Sequence, residues 1–170
     1  MRDYGRRLVI DSTFDRAVDL TIEAFQREGL HIIGCVDVQD YARRKLRHDL
    51  RQYVLLQALP ARLTIDALQH DLDAGTILPV TVAIYELADG ETAVVAGEPF
   101  APLLADRAWQ AAAPDLATIA ERASRQLARA LTRLQRMASR PAVAAGSASV
   151  APRAPVERAR PPRGFRTASV

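Results

Sequence analysis

The chain has 170 residues, of which 49% are hydrophobic and 25% are charged, and its formal net charge is +3. This length and composition favour one soluble globular domain with a real core and some spare length. The single cysteine, Cys35, excludes an internal disulfide framework and a multi-cysteine metal cage, and suits a reducing compartment. No stretch approaches about 18 consecutive apolar residues and no signal-peptide pattern is present, so we expect a cytoplasmic protein without membrane insertion.

The positive charge is concentrated at the C-terminal end. Residues 1–120 carry 12 Lys or Arg and 18 Asp or Glu, a net charge of −6, whereas residues 121–170 carry 11 Arg and 2 Glu, a net charge of +9. All cations but one are arginine, and alanine is abundant, which together indicate a compositional bias of the source genome. Arginine content alone is therefore a weak argument for function.

The first third of the chain predicts a strand, a helix and a second strand. Residues 7–10 form the first strand, and Ser12 or Thr13 is expected to cap the helix by accepting a backbone N–H. Apolar residues then recur at helical spacing until Gly29, which is expected to end the helix in a left-handed conformation. Residues 30–38 alternate in polarity as a second strand.

Three polar residues of the second strand, His31, Cys35 and Asp37, are predicted to share a face. A histidine beside a thiol can raise the thiolate fraction, so these residues are candidates for ligand binding or for an enzyme site. Direct pairing of His31 with Cys35 is not expected, because residues i and i+4 of a strand lie about 13 Å apart. The alternative is a polar edge on a half-exposed face. Gly34 marks a bulge or a close backbone approach.

The segment 40–51 is rich in cations on one side and predicts a short amphipathic helix or helical turn. Its cations can contact phosphate or anionic lipid headgroups, or they can form a solvated face that offsets the acidic remainder of the domain. Residues 53–59 predict a third strand, which stops at Pro60 because proline lacks the N–H that extends a ladder.

A helix is predicted over residues 61–72. His70, Asp71 and Asp73 near its end resemble metal ligands by residue type. Neighbouring residues on a helix diverge by about 100°, so these side chains cannot converge on one ion, and no metal site is predicted.

A tight hairpin is predicted from residues 77–87 and 91–97, which are hinged at Asp89-Gly90. Asp-Gly supplies the positive φ angles of such a turn at low steric cost. One face of the first arm is apolar and contains Leu78, Val80, Val82 and Ile84. Together the strands predict an α+β fold, with a mostly antiparallel sheet of four or five strands and helices packed on one face.

The order of these segments resembles the domain of unknown function 302 family. The resemblance is carried by Val36-Asp37, by LLQALP at residues 55–60, and above all by ILPVTVAIYE at residues 77–86 followed by Asp89-Gly90. More loosely, it extends from about Arg6 to Ala138. It implies a helix-grip-like arrangement similar to the TATA-binding-protein superfold, and pairing of two copies through the exposed face or edge of the sheet. It implies no reaction.

Two positions depart from the family pattern. Members often have an asparagine just before the proline that here is Pro60, where this chain has Leu59. Many also have a cysteine after the proline that corresponds to Pro79, where this chain has Val80. A site built on either polar residue is therefore not expected here.

The last third predicts a short helix over residues 103–111, with Trp109 as a packing anchor, and a long helix from Pro114 to about residue 138. The apolar seam of the long helix contains Leu116, Ala120, Ala123, Leu127, Ala130, Leu134 and Met137. A second stripe, expected to face water or an anion, contains Arg122, Arg125, Arg129, Arg133, Arg136 and Arg140.

Residues 1–140 are thus predicted to form a single α+β domain. Residues 141–170, rich in Ala, Pro, Ser and Arg, are predicted to be a disordered tail. The arginine stripe and the tail suggest nonspecific binding of nucleic acid or an acidic partner by counterion release, but base-stacking aromatic residues and recognised motifs are lacking. The favoured alternative is an appendage that only keeps the protein soluble.

Three functions stay open. The first is a cytoplasmic accessory module that acts as a homodimer and binds a small molecule or a protein. Its motive is that the sequence contains no Gly-rich phosphate loop, nucleophile elbow or Cys/His cluster. We accordingly predict no cofactor and no catalytic residue. The second is anion or nucleic-acid binding through Arg122, Arg125, Arg129, Arg133 and Arg136 with the tail. The third is an enzyme that uses His31, Cys35 and Asp37.

Overall fold

The computed structural model describes residues 5–88 and 90–139. The strands are β1 (Arg6–Asp11), β2 (Leu30–Asp37), β3 (Tyr53–Pro60), β4 (Val80–Ala88) and β5 (Glu91–Ala96). The α-helices are α1 (Phe14–Arg27), α2 (Val38–Tyr41), α3 (Ala61–His70), α4 (Ala101–Ala105), α5 (Arg107–Ala112) and α6 (Pro114–Ala138). A π-helical turn, Ala42–Leu46, follows α2, and a 3-10 helix, Leu72–Ile77, follows α3.

The strands form a five-stranded sheet in the order β1-β5-β4-β3-β2, and all neighbouring strands are antiparallel. The predicted α+β class, the antiparallel sheet and the long final helix are confirmed. The predicted hairpin is the β4–β5 pair, in which Ala88 lies opposite Glu91 and Gly90 has a φ of 82°. Such a φ explains why glycine follows Asp89 at the turn.

The core lies between one face of the sheet and the helices. Val80, Val82 and Ile84 of β4 are at most 1% exposed and lie under α1, as the alternation of this strand predicts. The long helix α6 packs on α1, and its buried residues are Ala117, Ala120, Ala123, Leu127, Ala130, Leu131 and Leu134. The predicted seam of α6 therefore faces the body of the protein.

The two ends of α1 differ in how well the sequence predicts them. Thr13 is the N-cap, but its side chain makes no capping hydrogen bond, so the predicted cap is not formed. A separate hydrogen bond from the Thr92 hydroxyl to the carbonyl of Ser12, at 2.9 Å, ties the start of α1 to β5. At the other end Gly29 has a φ of 78°, as predicted, and a Cβ there would lie 2.9 Å from Nε2 of Gln126. That amide donates to the carbonyl of Glu28 at 2.5 Å, so the end of α1 is held against α6.

The strand predicted to begin at residue 77 begins at Val80. The residues before it form the 3-10 helix, because Asp71 accepts a hydrogen bond from the N–H of Asp73 at 2.9 Å and Thr76 donates to the carbonyl of Asp73 at 2.8 Å. These local side-chain bonds compete with the sheet ladder. The Leu78–Pro79 peptide that joins the turn to β4 is cis.

The helix predicted over residues 103–111 is two helices, α4 and α5. Asp106 separates them in an extended conformation, and its carboxylate accepts hydrogen bonds from the N–H groups of Ala108 and Trp109 at 2.9 and 3.2 Å. This cap starts a new helix at Arg107. The amide of Gln110 donates to the carbonyl of Leu104 at 2.7 Å and ties the two short helices together.

The cationic segment after β2 is helical only as far as Leu46. Arg47 follows with a φ of 52°, which ends the turn. Arg43 and Arg44 both pair with Asp40, so part of the charge of this segment is neutralised locally.

Arg140 and the predicted tail lie outside the described residues. The division into a domain over residues 1–140 and a tail over residues 141–170 therefore stays a prediction. No helix in the part of the chain that the structure describes has the length and apolar character needed to cross a bilayer.

Candidate functional site

A cavity of about 180 Å³ opens between the helices and one end of the sheet. Its large apolar lining residues include Leu63, Phe100, Leu103, Trp109, Leu116 and Ile119. Small residues, Ala67 of α3 and Ala120 and Ala123 of α6, leave the space that these side chains surround. We refer to this space as the apolar cavity.

The irregular elements of the fold form much of the wall of the apolar cavity. The 3-10 helix ends at Ile77, so Ile77 and Leu78 line the cavity rather than continuing β4. The cap at Asp106 begins α5 two residues before Trp109, which places the indole in the opposite wall. Both walls therefore depend on local side-chain hydrogen bonds.

The polar side chains of the cavity lining are those of Asp71 and Asp73. Both residues are exposed, so these carboxylates lie at the mouth of the cavity rather than in its interior. A mouth with negative charge and an apolar interior favours a ligand that is neutral, or positively charged at the end near the aspartates.

The sequence did not identify the apolar cavity. Trp109 was predicted as a packing anchor, and it does pack against the core, but it also lines the cavity. The signal that was present is Asp106, which interrupts the helical pattern between Leu103 and Trp109. Short helices that cannot pack as one rod leave space between them.

The prediction that His31, Cys35 and Asp37 share a face is wrong. A bulge interrupts β2 between Ile32 and Gly34, so His31 lies opposite Leu59 whereas Cys35 lies opposite Leu56. Leu59 and Leu56 point to opposite faces of β3, and the extra residue reverses the faces of all later β2 residues. The bulge that Gly34 indicated is therefore present, and it separates His31 from Cys35 and Asp37.

Cys35 and Asp37 remain on one face, and their arrangement makes the thiol less reactive. Cys35 is exposed at the surface, but partial desolvation by its neighbours raises the pKa of its thiol, and the negative charge of Asp37 raises that pKa further. A raised pKa lowers the thiolate fraction, which is the opposite of what a nucleophile needs. Whether His31, Cys35 or Asp37 binds a ligand stays a prediction.

The alkylation rate of Cys35 tests this interpretation. We expect iodoacetamide to modify Cys35 of the folded protein more slowly at neutral pH than it modifies a free model thiol, because less thiolate is present. Asp37→Asn should increase the rate by removing one of the two causes of the raised pKa. A rate in the native protein above that of the model thiol would contradict the arrangement.

The predicted arginine stripe of α6 is partly paired within the protein. Glu28, at the end of α1, accepts from Arg133 at 2.6 Å and from Arg129 at 3.2 Å, and Arg125 pairs with Glu121 at 3.2 Å. The hydrogen bond from Arg133 lowers the pKa of Glu28 most; burial opposes it, and Arg129 lowers the pKa further. Two of the predicted anion-binding arginines therefore hold α1 and α6 together.

Glu28→Gln should lower the free energy of unfolding by about 1 kcal/mol at neutral pH, because it removes the charge that Arg129 and Arg133 share. Glu23→Gln, which breaks an exposed pair with Arg27 within α1, is a control with an expected loss of about 0.3 kcal/mol.

The effect of Glu28→Gln should also depend on pH. A lowered folded pKa contributes stability above the ordinary glutamate pKa of 4.5, and this contribution is lost as the pH falls through the lower folded value. In thermal unfolding, the difference between wild type and Glu28→Gln should therefore shrink as the pH falls below 4.5. A difference that is constant with pH would contradict the role of the carboxylate.

The face of the sheet opposite the helices carries an aromatic cluster. Tyr53 and Tyr85 stack with ring centroids 5.4 Å apart, and the guanidinium carbon of Arg7 lies 5.8 Å from the centroid of Tyr85. In the same row as Tyr85, Val9 is 48% exposed. We refer to this surface as the open face.

Among the described residues no group of three or more His, Cys, Asp or Glu side chains is placed to hold a metal ion. His70 lies 3.9 Å from Asp115 of α6. The predicted absence of a cofactor and the predicted cytoplasmic location stay predictions.

A comparison with models of protein families finds a match to "Domain of unknown function DUF302" over residues 7–134, which is most of the chain. The chain belongs to the DUF302 family. The resemblance that was drawn from Val36-Asp37, the strand ending at Pro60 and the hairpin is thus confirmed, while the helix-grip label is not.

A solved structure supports the fold of this DUF302 chain. The chain is similar to the crystal structure of an uncharacterized conserved DUF302 protein from Bacillus stearothermophilus, with a TM-score of 0.64 and 18% sequence identity. The match covers 78% of this chain and 99% of that chain. At this identity the similarity concerns the fold alone. None of the curated proteins compared with the chain matches it.

Proposed function

We propose that this DUF302 protein is a binding module for a small, largely apolar molecule held in the apolar cavity. The observation that carries the proposal is the cavity itself, which is walled by Trp109, Phe100 and several aliphatic side chains. Leu103, Trp109 and Ile119 in its wall are half-buried, so an apolar molecule bound there removes their apolar surface from water.

The size of the cavity limits the ligand. An engineered apolar cavity of about 150 Å³ in another protein binds benzene. The apolar cavity here is slightly larger, so it accommodates a single aromatic ring or a short branched alkyl group. Asp71 and Asp73 at the mouth favour a neutral or aminated ligand over a carboxylate.

Tryptophan fluorescence tests the proposal directly, because Trp109 is the one tryptophan of the chain and lines the cavity. We expect benzylamine or toluene to shift the emission saturably and to raise the melting temperature, since a ligand that binds only the folded state stabilises it. Benzoate, of similar size but opposite charge, is expected to bind at least about tenfold more weakly. Equal binding of benzoate would contradict the role of the aspartates, and no saturable response to any of the three would contradict the binding site.

The open face supports a second proposal, that two copies of the chain associate through it. Val9, Tyr85 and Tyr53 lie in one row across the sheet, with the fully buried Ala93 between Val9 and Tyr85, on the face opposite the buried residues Val80, Val82 and Ile84. Two such sheets can pack face to face about 10 Å apart.

Charge placement on the open face suits a second copy. Arg7 lies at one end of the β1–β5 ladder, and Asp11 lies opposite Glu91 at the other end. In the proposed dimer, the two-fold axis lies in the plane midway between the two sheets and is perpendicular to the strands. The strands of one copy therefore run opposite to those of the other. This arrangement brings Arg7 of one copy towards Asp11 and Glu91 of the other.

Light scattering tests this association. We expect the wild-type chain to have the mass of a dimer and Val9→Glu to have that of a monomer, because the substitution places a charge in the row that Val9 shares with Tyr85 and Tyr53. Ile65→Glu is the matched control, since Ile65 is 58% exposed on α3, away from the open face. A monomeric wild type, or a Val9→Glu variant that stays dimeric, would refute the proposal.

A further inference from the structure

A groove of about 370 Å³ lies between the start of β2, the first turn of α3 and the middle of α6. Four arginines line it, Arg62 from α3 and Arg122, Arg125 and Arg129 from α6, together with His31 and Gln126. We call it the arginine groove. The apolar cavity is a separate space, although Leu63 lines both.

The charges of the arginine groove are not balanced from within it. No carboxylate is among the residues that line it. Within residues 5–88 and 90–139, Arg62 and Arg122 form no ion pair. Arg125 and Arg129 each use one nitrogen towards a glutamate outside the groove and stay about 60% exposed, so further guanidinium N–H groups are free to bind an anion.

The backbone adds to the positive potential of the groove. Its wall includes Ala61, Arg62 and Leu63, the first three residues of the ten-residue helix α3. The N-cap of α3 is Pro60, and no side chain caps this end. The N–H groups of the first turn, which have no partner inside a helix, and the positive end of the helix dipole therefore add to the charge of the four arginines.

We propose that the arginine groove binds the phosphate group of a small phosphorylated molecule. A phosphate offers three terminal oxygens and nearly two negative charges, which match several guanidinium groups better than one carboxylate does. The volume of about 370 Å³ lies within the range of small-molecule sites.

Two features favour a small molecule over a nucleic acid. The groove has no Phe, Tyr or Trp on which a base could stack. Further along α6, Arg133 is bound to Glu28 through both Nε and a terminal nitrogen, so fewer of its N–H groups are free there for a phosphate backbone than at Arg125 or Arg129.

The test measures binding of inorganic phosphate and of phenyl phosphate to the full chain by calorimetry, with ionic strength held constant by chloride. Arg62→Gln and Arg122→Gln should each weaken binding at least about tenfold, the loss expected when a charged hydrogen bond is removed. Arg136→Gln is the matched control, because Arg136 is exposed on the same helix, forms no ion pair among the described residues and lies outside the groove. It should change the affinity by less than about twofold.

Three outcomes would overturn the proposal. One is an equal loss of affinity in Arg136→Gln, which would mean that net charge alone attracts the anion. Another is acetate binding as tightly as phosphate. The third is the absence of saturable binding of phosphate and phenyl phosphate, whether or not an oligonucleotide binds. Because Trp109 reports the apolar cavity and not this groove, failure here leaves the cavity proposal to be judged separately.

Discussion

Filling the apolar cavity with Ala123→Leu is expected to abolish ligand binding while the protein stays folded. Ala123 is 3% exposed and lines the cavity from α6, so the added carbon atoms of leucine occupy the space that the ligand needs. Leucine is a good helix former, so it suits this position in α6. Because its added atoms enter an empty space, we do not expect the loss of about 1–3 kcal/mol in stability that overpacking causes in a filled core. The affinity for benzylamine should fall at least about 100-fold, or roughly 3 kcal/mol.

Ala128→Leu makes the same change on the same helix, at a position that is half-buried and does not line the apolar cavity. It should leave the affinity within about twofold of wild type. Ala67→Leu fills the cavity from α3 and should reproduce the loss. The account would be contradicted if Ala123→Leu and Ala67→Leu both unfolded like wild type and still bound benzylamine with wild-type affinity.

The second large effect is on stability. Leu127→Ala should lower the free energy of unfolding by about 3 kcal/mol, since truncating a buried leucine removes its transfer free energy and leaves a cavity. Leu127 is 1% exposed in the seam by which α6 joins the core. Urea denaturation measures the change, and an unchanged m-value would show that the folded and unfolded states keep their compactness.

Leu72→Ala is the control for this substitution, because Leu72 is 81% exposed. It should cost less than about 0.5 kcal/mol. A loss below about 1 kcal/mol in Leu127→Ala would mean that α6 does not dock on α1 as described.

Features set by local chemistry were predictable from the sequence. Asp89-Gly90 predicted the hairpin and Gly29 predicted the end of α1, because both places need a positive φ angle that glycine adopts at low steric cost. The alternation of β4 and the seam of α6 predicted which faces are buried, since each pattern has the period of its element. The fold class and the family resemblance followed from these.

Features set by contacts between distant segments were not predictable. Arg129 and Arg133 meet Glu28 across 101 and 105 residues of chain, so the sequence could show only an unpaired stripe. One extra residue in β2 reversed the face of Cys35 relative to His31. The apolar cavity exists because Asp71 and Asp106 redirect the chain on either side of it, and its volume depends on how those segments pack.

A crystal structure of the protein with benzylamine would show whether the apolar cavity is the binding site. We expect the aromatic ring in the apolar cavity against Trp109 and Ile119, with the ammonium group towards Asp71 and Asp73. Benzylamine bound elsewhere, or a cavity closed by the side chains of its own walls, would contradict this expectation.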